Sequence, residues 1–106
     1  MKYLLLILTL VATMVSCEQT TTKNSVKVSN AKELKAAIAN AQPGTEIVMA
    51  NGEWNDIEIR FYASGTEKQP ITLRAETPGQ VIVQGQSDLK LAGDYLVVDG
   101  LYFTNG

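Results

Sequence analysis

Residues 47–103 read IVMANGEWNDIEIRFYASGTEKQPITLRAETPGQVIVQGQSDLKLAGDYLVVDGLYF, and this stretch decides the fold. Apolar residues stand two apart in seven short runs: Ile47/Met49, Ile57/Ile59/Phe61, Ile71/Leu73, Val81/Val83, Leu89/Leu91, Leu96/Val98 and Leu101/Phe103. That period is the inside–outside alternation of strands. Asn51-Gly52, Ser64-Gly65, Pro78-Gly79, Gly85, Gly93-Asp94 and Asp99-Gly100 break the runs as turns. A sandwich, a barrel or a solenoid would satisfy this much. The spacing separates them. Ile47 to Ile71 is 24 residues and Ile71 to Leu96 is 25; Ile57 to Val81 is 24 and Val81 to Phe103 is 22. Two apolar series recurring at one interval predict a solenoid in which each lap carries several short strands and stacks on the lap before. Ile47, Ile71 and Leu96 are then expected one above another.

Upstream the period changes. Asn30-Ala31-Lys32-Glu33 has the form of a helix start, with an N-cap side chain and a Glu three residues on. Leu34, Ala37, Ile38 and Ala41 make one apolar stripe, and Pro43-Gly44 ends it. A helix over Asn30–Ala41 with one apolar face is suited to cover the bare first lap. The other end has no such cover, and exposed apolar columns with open strand edges are an aggregation template. We therefore expect an all-β, parallel β-helix of which only the N-terminal coils are present, capped by one short α-helix, in a chain that is the first piece of a longer protein.

The chain has 106 residues, 45% hydrophobic and 19% charged, so it is not a disordered sequence. It contains no His, which removes the usual neutral-pH acid/base and the commonest metal ligand. Its slight acidic excess and only two arginines argue against a nucleic-acid partner. The single cysteine excludes an internal disulfide, a redox pair and a cysteine zinc site. Lys2 followed by the apolar run Tyr3–Val15 is too short to span a bilayer and reads as a leader. The leader ends Met14-Val15-Ser16-Cys17, which resembles a loosened bacterial lipobox. That resemblance implies cleavage after Ser16, acylation of Cys17 and export to the cell envelope, with the outer membrane as the expected location. Residues 1–16 are then the signal peptide, 17–25 a polar tether, and 26–106 the cap helix and first coils.

From Val28 to Gly106 three blocks follow in order: VSNAKELKAAIANAQPGTEIVMANGEWNDIEI, SGTEKQPITLRAETPGQVIVQG and LKLAGDYLVVDGLYFTNG. Together they resemble the N-terminal region of the family-6 polysaccharide lyases, the chondroitinase B and alginate lyase group. The resemblance implies a right-handed parallel β-helix and a parent enzyme that degrades acidic polysaccharides by β-elimination. It also implies calcium in the full-length protein, because a cation on the uronate carboxylate eases removal of the adjacent proton. In this family the base, its Arg partner and the calcium ligands lie in later coils. The resemblance therefore assigns no catalytic, cofactor-binding or metal residue here, and Cys17, the lipidation site, is the one modified position.

Local candidates read mainly as structure. Asp56 and Glu58, two apart, would share a strand face, where they could contribute to a metal site but read first as its solvated side. Arg60 and Arg74 should point outward, where bidentate contact with a uronate carboxylate is chemically open to them. Lys68 and Lys90 fall in or near turns. Trp54, Tyr62, Tyr95 and Tyr102 could offer stacking faces to a sugar but read first as structure: Trp54 beneath the cap helix or a loop, Tyr95 at the opening of a strand, and Tyr102 alternating with inward Leu101 and Phe103. A second reading stays open beside the lyase: a complete, small, non-catalytic β-helical lipoprotein that binds glycan or a protein.

Overall fold

The computed structural model describes residues 24–104. The leader, Cys17 and the greater part of the expected tether lie outside the described residues. Nine strands and one helix follow in the order β1 (Asn24–Val28), α1 (Ala31–Ala39), β2 (Thr45–Met49), β3 (Gly52–Asn55), β4 (Glu58–Ser64), β5 (Ile71–Ala75), β6 (Val81–Gln84), β7 (Asp88–Asp94), β8 (Leu96–Asp99) and β9 (Leu101–Phe103). They form three parallel sheets, ordered β1-β2-β5-β8, β3-β6-β9 and β4-β7. The chain visits the sheets in rotation, so β2–β4 make one lap, β5–β7 the next, and β8–β9 begin a third. This is a parallel β-helix with a helix at its first lap.

The register corrects one expectation. Ile71 lies beside Leu96 as anticipated. Ile47, however, lies beside Leu73 and not Ile71. The column is therefore Val26–Ile47–Leu73–Val98. A shift of two residues keeps every side chain on its own face, which is why an apolar pattern of period two could not distinguish the two alignments. In the second sheet Trp54, Val83 and Phe103 stack, and Ile57 lies outside that column, in the bend before β4. In the third sheet Ile59 meets Leu89 and Phe61 meets Leu91. Sheet positions recur after 21, 26 and 25 residues in the first sheet, the shorter first step spanning α1, but after 29 and then 20 in the second, so the corners absorb differences that the strands do not.

Side chains from the three sheets meet inside. Ile47, Met49, Phe61, Ile71, Leu73 and Val81 are fully buried, with Trp54 at their margin. Helix α1 closes the first lap with Leu34 and Ile38. Asn30 caps it, its Oδ1 accepting from the Glu33 N–H, while Glu33 Oε1 accepts from the Ser29 N–H. The helix ends at Ala39, two residues before the expected limit. Asn40 closes it as the C-cap, leaving helical geometry at φ −100° and ψ 5° while its side-chain amide joins its backbone N–H in donating to Ala36 O. Ala41 still packs against the core from beyond the helix. The first strand opens at Asn24, inside the stretch expected as tether, and β1 gives α1 and β2 a lower neighbour that the apolar spacing did not reveal.

Cover is lost toward the third lap. Phe61 is 0% exposed, yet Leu91 beside it is 54% exposed. Val83 is 1% exposed, and Phe103 beside it 44%. The same inward positions are dry in one lap and wet in the next.

Candidate functional site

Each outward residue takes its place from the strand alternation, so the sheet faces show which charges can work together. On the third sheet Glu58, Arg60 and Tyr62 of β4 run beside Asp88, Lys90 and Ala92 of β7. Arg60 donates from Nη1 to Asp88 Oδ1 at 2.7 Å, and its Nη2 lies 3.6 Å from Glu58 Oε1. The hydrogen bond to Asp88 raises the guanidinium pKa above its ordinary value. On the first sheet Arg74 Nε donates to Glu46 Oε2 at 2.7 Å, and its Nη1 donates to Ala75 O. Both arginines point outward as expected. Both are bound to carboxylates of neighbouring laps, so they serve as rungs between laps and present no open fork to a substrate carboxylate.

Asp56 and Glu58 do not share a strand face. Asp56 occupies the bend between β3 and β4 with φ 53°, and its Oδ1 accepts from the Gln86 N–H at 2.7 Å. Glu58 opens β4 and faces Arg60. Among the described residues no three His, Cys, Asp or Glu side chains gather as a metal site needs. Calcium asks for six or more oxygens converging on one point, and the described residues do not fit it.

The other candidates are scattered. Lys90 lies within β7 and not in a turn, where the alternation aims it outward beside Arg60. Lys68 is exposed in the link between β4 and β5. Trp54 is an inward residue of β3, 6% exposed, stacked on Val83 and donating from Nε1 to Ala50 O. Tyr95 does not open a strand; it bridges β7 and β8 in the left-handed region, φ 54°. Tyr62, Tyr95 and Tyr102 are about half exposed but belong to the third sheet, a corner and the second sheet, so they share no single platform. An open groove of about 660 Å³ runs between α1 and β4, with Leu34, Ile38 and Ile57 beneath Lys35, Arg60 and Tyr62.

What the residues do assemble is a set of corner locks. Asn51 accepts from the Thr77 N–H and donates to Thr77 Oγ1, while its own N–H donates to Glu76 Oε1. Lys27 donates to the other Glu76 oxygen at 2.9 Å. These contacts hold the Glu76 carboxyl below the usual range, the Lys27 hydrogen bond first among the causes. At the next corner Ser87 Oγ accepts from the Ile57 N–H and donates to Gln84 O. Reading those corners only as turns missed this. The available signal was the recurrence of Asn, Asp and Ser just after strands, where such side chains bond to backbone.

Comparison with known proteins agrees with the architecture. The family model described as Chondroitinase B matches residues 28–106. No curated protein sequence matches the chain. Among solved structures the chain is similar to a PL6 family alginate lyase, AlyGC, with 46% identity and a TM-score of 0.75 over 77% of this chain and 11% of that one. It is also similar to the PL6 family polysaccharide lyase Pedsa3628 from Pseudopedobacter saltans, with 43% identity and a TM-score of 0.74 over 76% of this chain and 19% of that one. A mannuronic acid specific family 6 lyase from human gut microbiota shares 32% identity and a TM-score of 0.64 over 74% of this chain and 19% of that one. The chain thus spans between about a tenth and a fifth of the length of these structures. With a capped parallel β-helix, a family match over residues 28–106 and these identities, the chain belongs to the chondroitinase B family, the family-6 polysaccharide lyases.

Proposed function

We propose that this chain forms the capped first laps of an exported, lipid-anchored lyase that cleaves uronate-containing polysaccharide by β-elimination. Alginate stands ahead of chondroitin or dermatan as substrate, since the similar structures include an alginate lyase and a mannuronic acid specific enzyme. The laps described here nucleate and cap the solenoid. The general base and the calcium ligands belong to laps further along, and this segment is inactive alone. Calcium and the acidic polysaccharide are partners of the full-length protein, and acyl chains on Cys17 are its link to the membrane.

One observation carries this reading: the inward positions are dry in the first lap and become wet above it, Leu91 of the second lap and Phe103 of the third being 54% and 44% exposed. Such a surface is shaped to receive another lap of the same kind. A small glycan-binding lipoprotein would need that face closed. The test is an assay for the unsaturated uronate product on alginate and on chondroitin, run on the 106-residue chain and on the product of the reading frame extended past Gly106. Product from the extended form alone supports the proposal. Product from the 106-residue chain would overturn the claim that its machinery lies elsewhere, and a stop codon after Gly106 with a monomeric, folded product would favour the binding module.

A further inference from the structure

Charge is distributed unevenly along the solenoid. Residues 24–41, which hold β1 and α1, carry Lys27, Lys32 and Lys35 against Glu33 alone, a net of +2. Residues 42–104 carry four cations against nine carboxylates, a net of −5. The capped end is therefore basic and the body acidic. The state of these charges sharpens the contrast. Lys27, Arg60 and Arg74 are each held by a carboxylate. Lys32 and Lys35 have no ion-pair partner among the described residues. They stand one helical turn apart on exposed positions of α1: Lys32 on the outer face with only the small side chains of Ala36 and Ala39 beside it, and Lys35 at the rim of the groove toward β4, whose other wall carries Asp56 and Glu58. Glu33, the sole acid of the helix, is turned back onto the Ser29 N–H.

We propose that the outer face of α1 is a docking surface for an anionic phospholipid bilayer, with Lys32 and Lys35 as its contact cations. This rests on the lipid-anchor reading above for its biological setting, and on charge and position for its geometry. Cys17 lies seven residues before Asn24, so even fully extended chain keeps an acyl anchor within about 25 Å of the start of β1. β1 and α1 lie at the same end of the solenoid. Tethering there brings the basic end to the lipid headgroups, and the acidic body is repelled by the same surface. The solenoid is thereby set with its capped end down and its later laps turned toward the polysaccharide outside. A lysine near an anionic surface contributes a factor of about five in binding, two together about thirtyfold, and the effect fades within a Debye length of roughly 8 Å at physiological salt.

The experiment has two arms. The exported chain is placed in vesicles of phosphatidylcholine alone, or of equal parts phosphatidylcholine and phosphatidylglycerol, and its lysines are acetylated and read by mass spectrometry. Lys32 and Lys35 should be protected severalfold in the anionic vesicles only, with protection lost at high salt, while Lys68 and Lys90 label equally in both. In the second arm, the chain with its leader removed and Cys17 unmodified is partitioned onto the same vesicles. Lys32→Gln with Lys35→Gln should lower its binding to the anionic vesicles about thirtyfold with an unchanged circular dichroism spectrum. The single substitutions, about fivefold each, serve if the double variant misfolds. Equal labelling of all four lysines, or binding indifferent to the substitutions, would overturn the proposal. The mass of the N-terminal peptide reports acylation separately. A chain without acyl groups that still shows the lysine footprint would sink the anchor and leave the docking face standing.

Discussion

Gly93 is where the packing between laps can be put to a quantitative test. It lies opposite Ala63 in the β4–β7 pairing, with φ +132°. A Cβ built there would collide with the Ala63 carbonyl oxygen, a backbone atom that cannot swing aside. Gly79 offers the matched control: its φ is +82°, and a Cβ there meets nothing within 4 Å. Gly79→Ala should therefore cost only the backbone strain, about 1–2 kcal/mol. Gly93→Ala carries at least that strain and must also push the end of β7 away from β4. That movement puts at risk the bonds Gly65 N–H to Asp94 O and Ile71 N–H to Tyr95 O, each contributing about 1 kcal/mol net. We expect a total of about 3–4 kcal/mol. Urea unfolding followed by circular dichroism reads both variants, and with a slope of roughly 1–3 kcal/mol per molar the Gly93 midpoint should fall by about twice as much as the Gly79 midpoint or more. Equal midpoint shifts would refute the close approach of the two laps and the argument built on it.

Phe61→Ala empties the centre of the core, where Phe61 has no exposed surface, and should cost about 3–5 kcal/mol in the same unfolding measurement. Asn30→Ala removes the acceptor for the Glu33 N–H and should cost about 1 kcal/mol, with hydrogen exchange accelerated first in the opening turn of α1. Glu76 has a folded pKa below its ordinary 4.5, so its contribution is present above that value and is lost as pH falls through the lower, folded one. Glu76→Gln should accordingly flatten that part of the acid limb when stability is plotted against pH.

The architecture was legible because a β-helix repeats, and repetition survives in the spacing of Ile71, Leu73, Leu96 and Val98. The alignment of the first lap was not. Ile47 could have met Ile71 or Leu73, and either choice puts apolar side chains inside. Only the corner between Asn40 and Thr45, with Gln42 and Thr45 bonded to each other, sets where β2 begins. Asp56 was misplaced for a related reason: two residues apart implies one face only within a strand, and its positive φ breaks the strand there. Trp54 has the structural role its place beside a turn suggested, and the alternation of β3 adds that it points inward, into the core cluster that holds Leu34 and Ile38. No catalytic group was named from the sequence, and the described residues gather no three metal-ligating side chains.

The corners also bear on how such a chain can change. Two laps of the second sheet differ by nine residues in their spacing, while the β2–β5 and β5–β8 steps of the first sheet agree to within one. Length is thus a local variable, confined to bends that lie outside the strand registers. Insertions at those bends can grow into new surface loops without re-threading a single strand, which lets one scaffold change what its surface presents by lengthening its edges and leaving its spine alone.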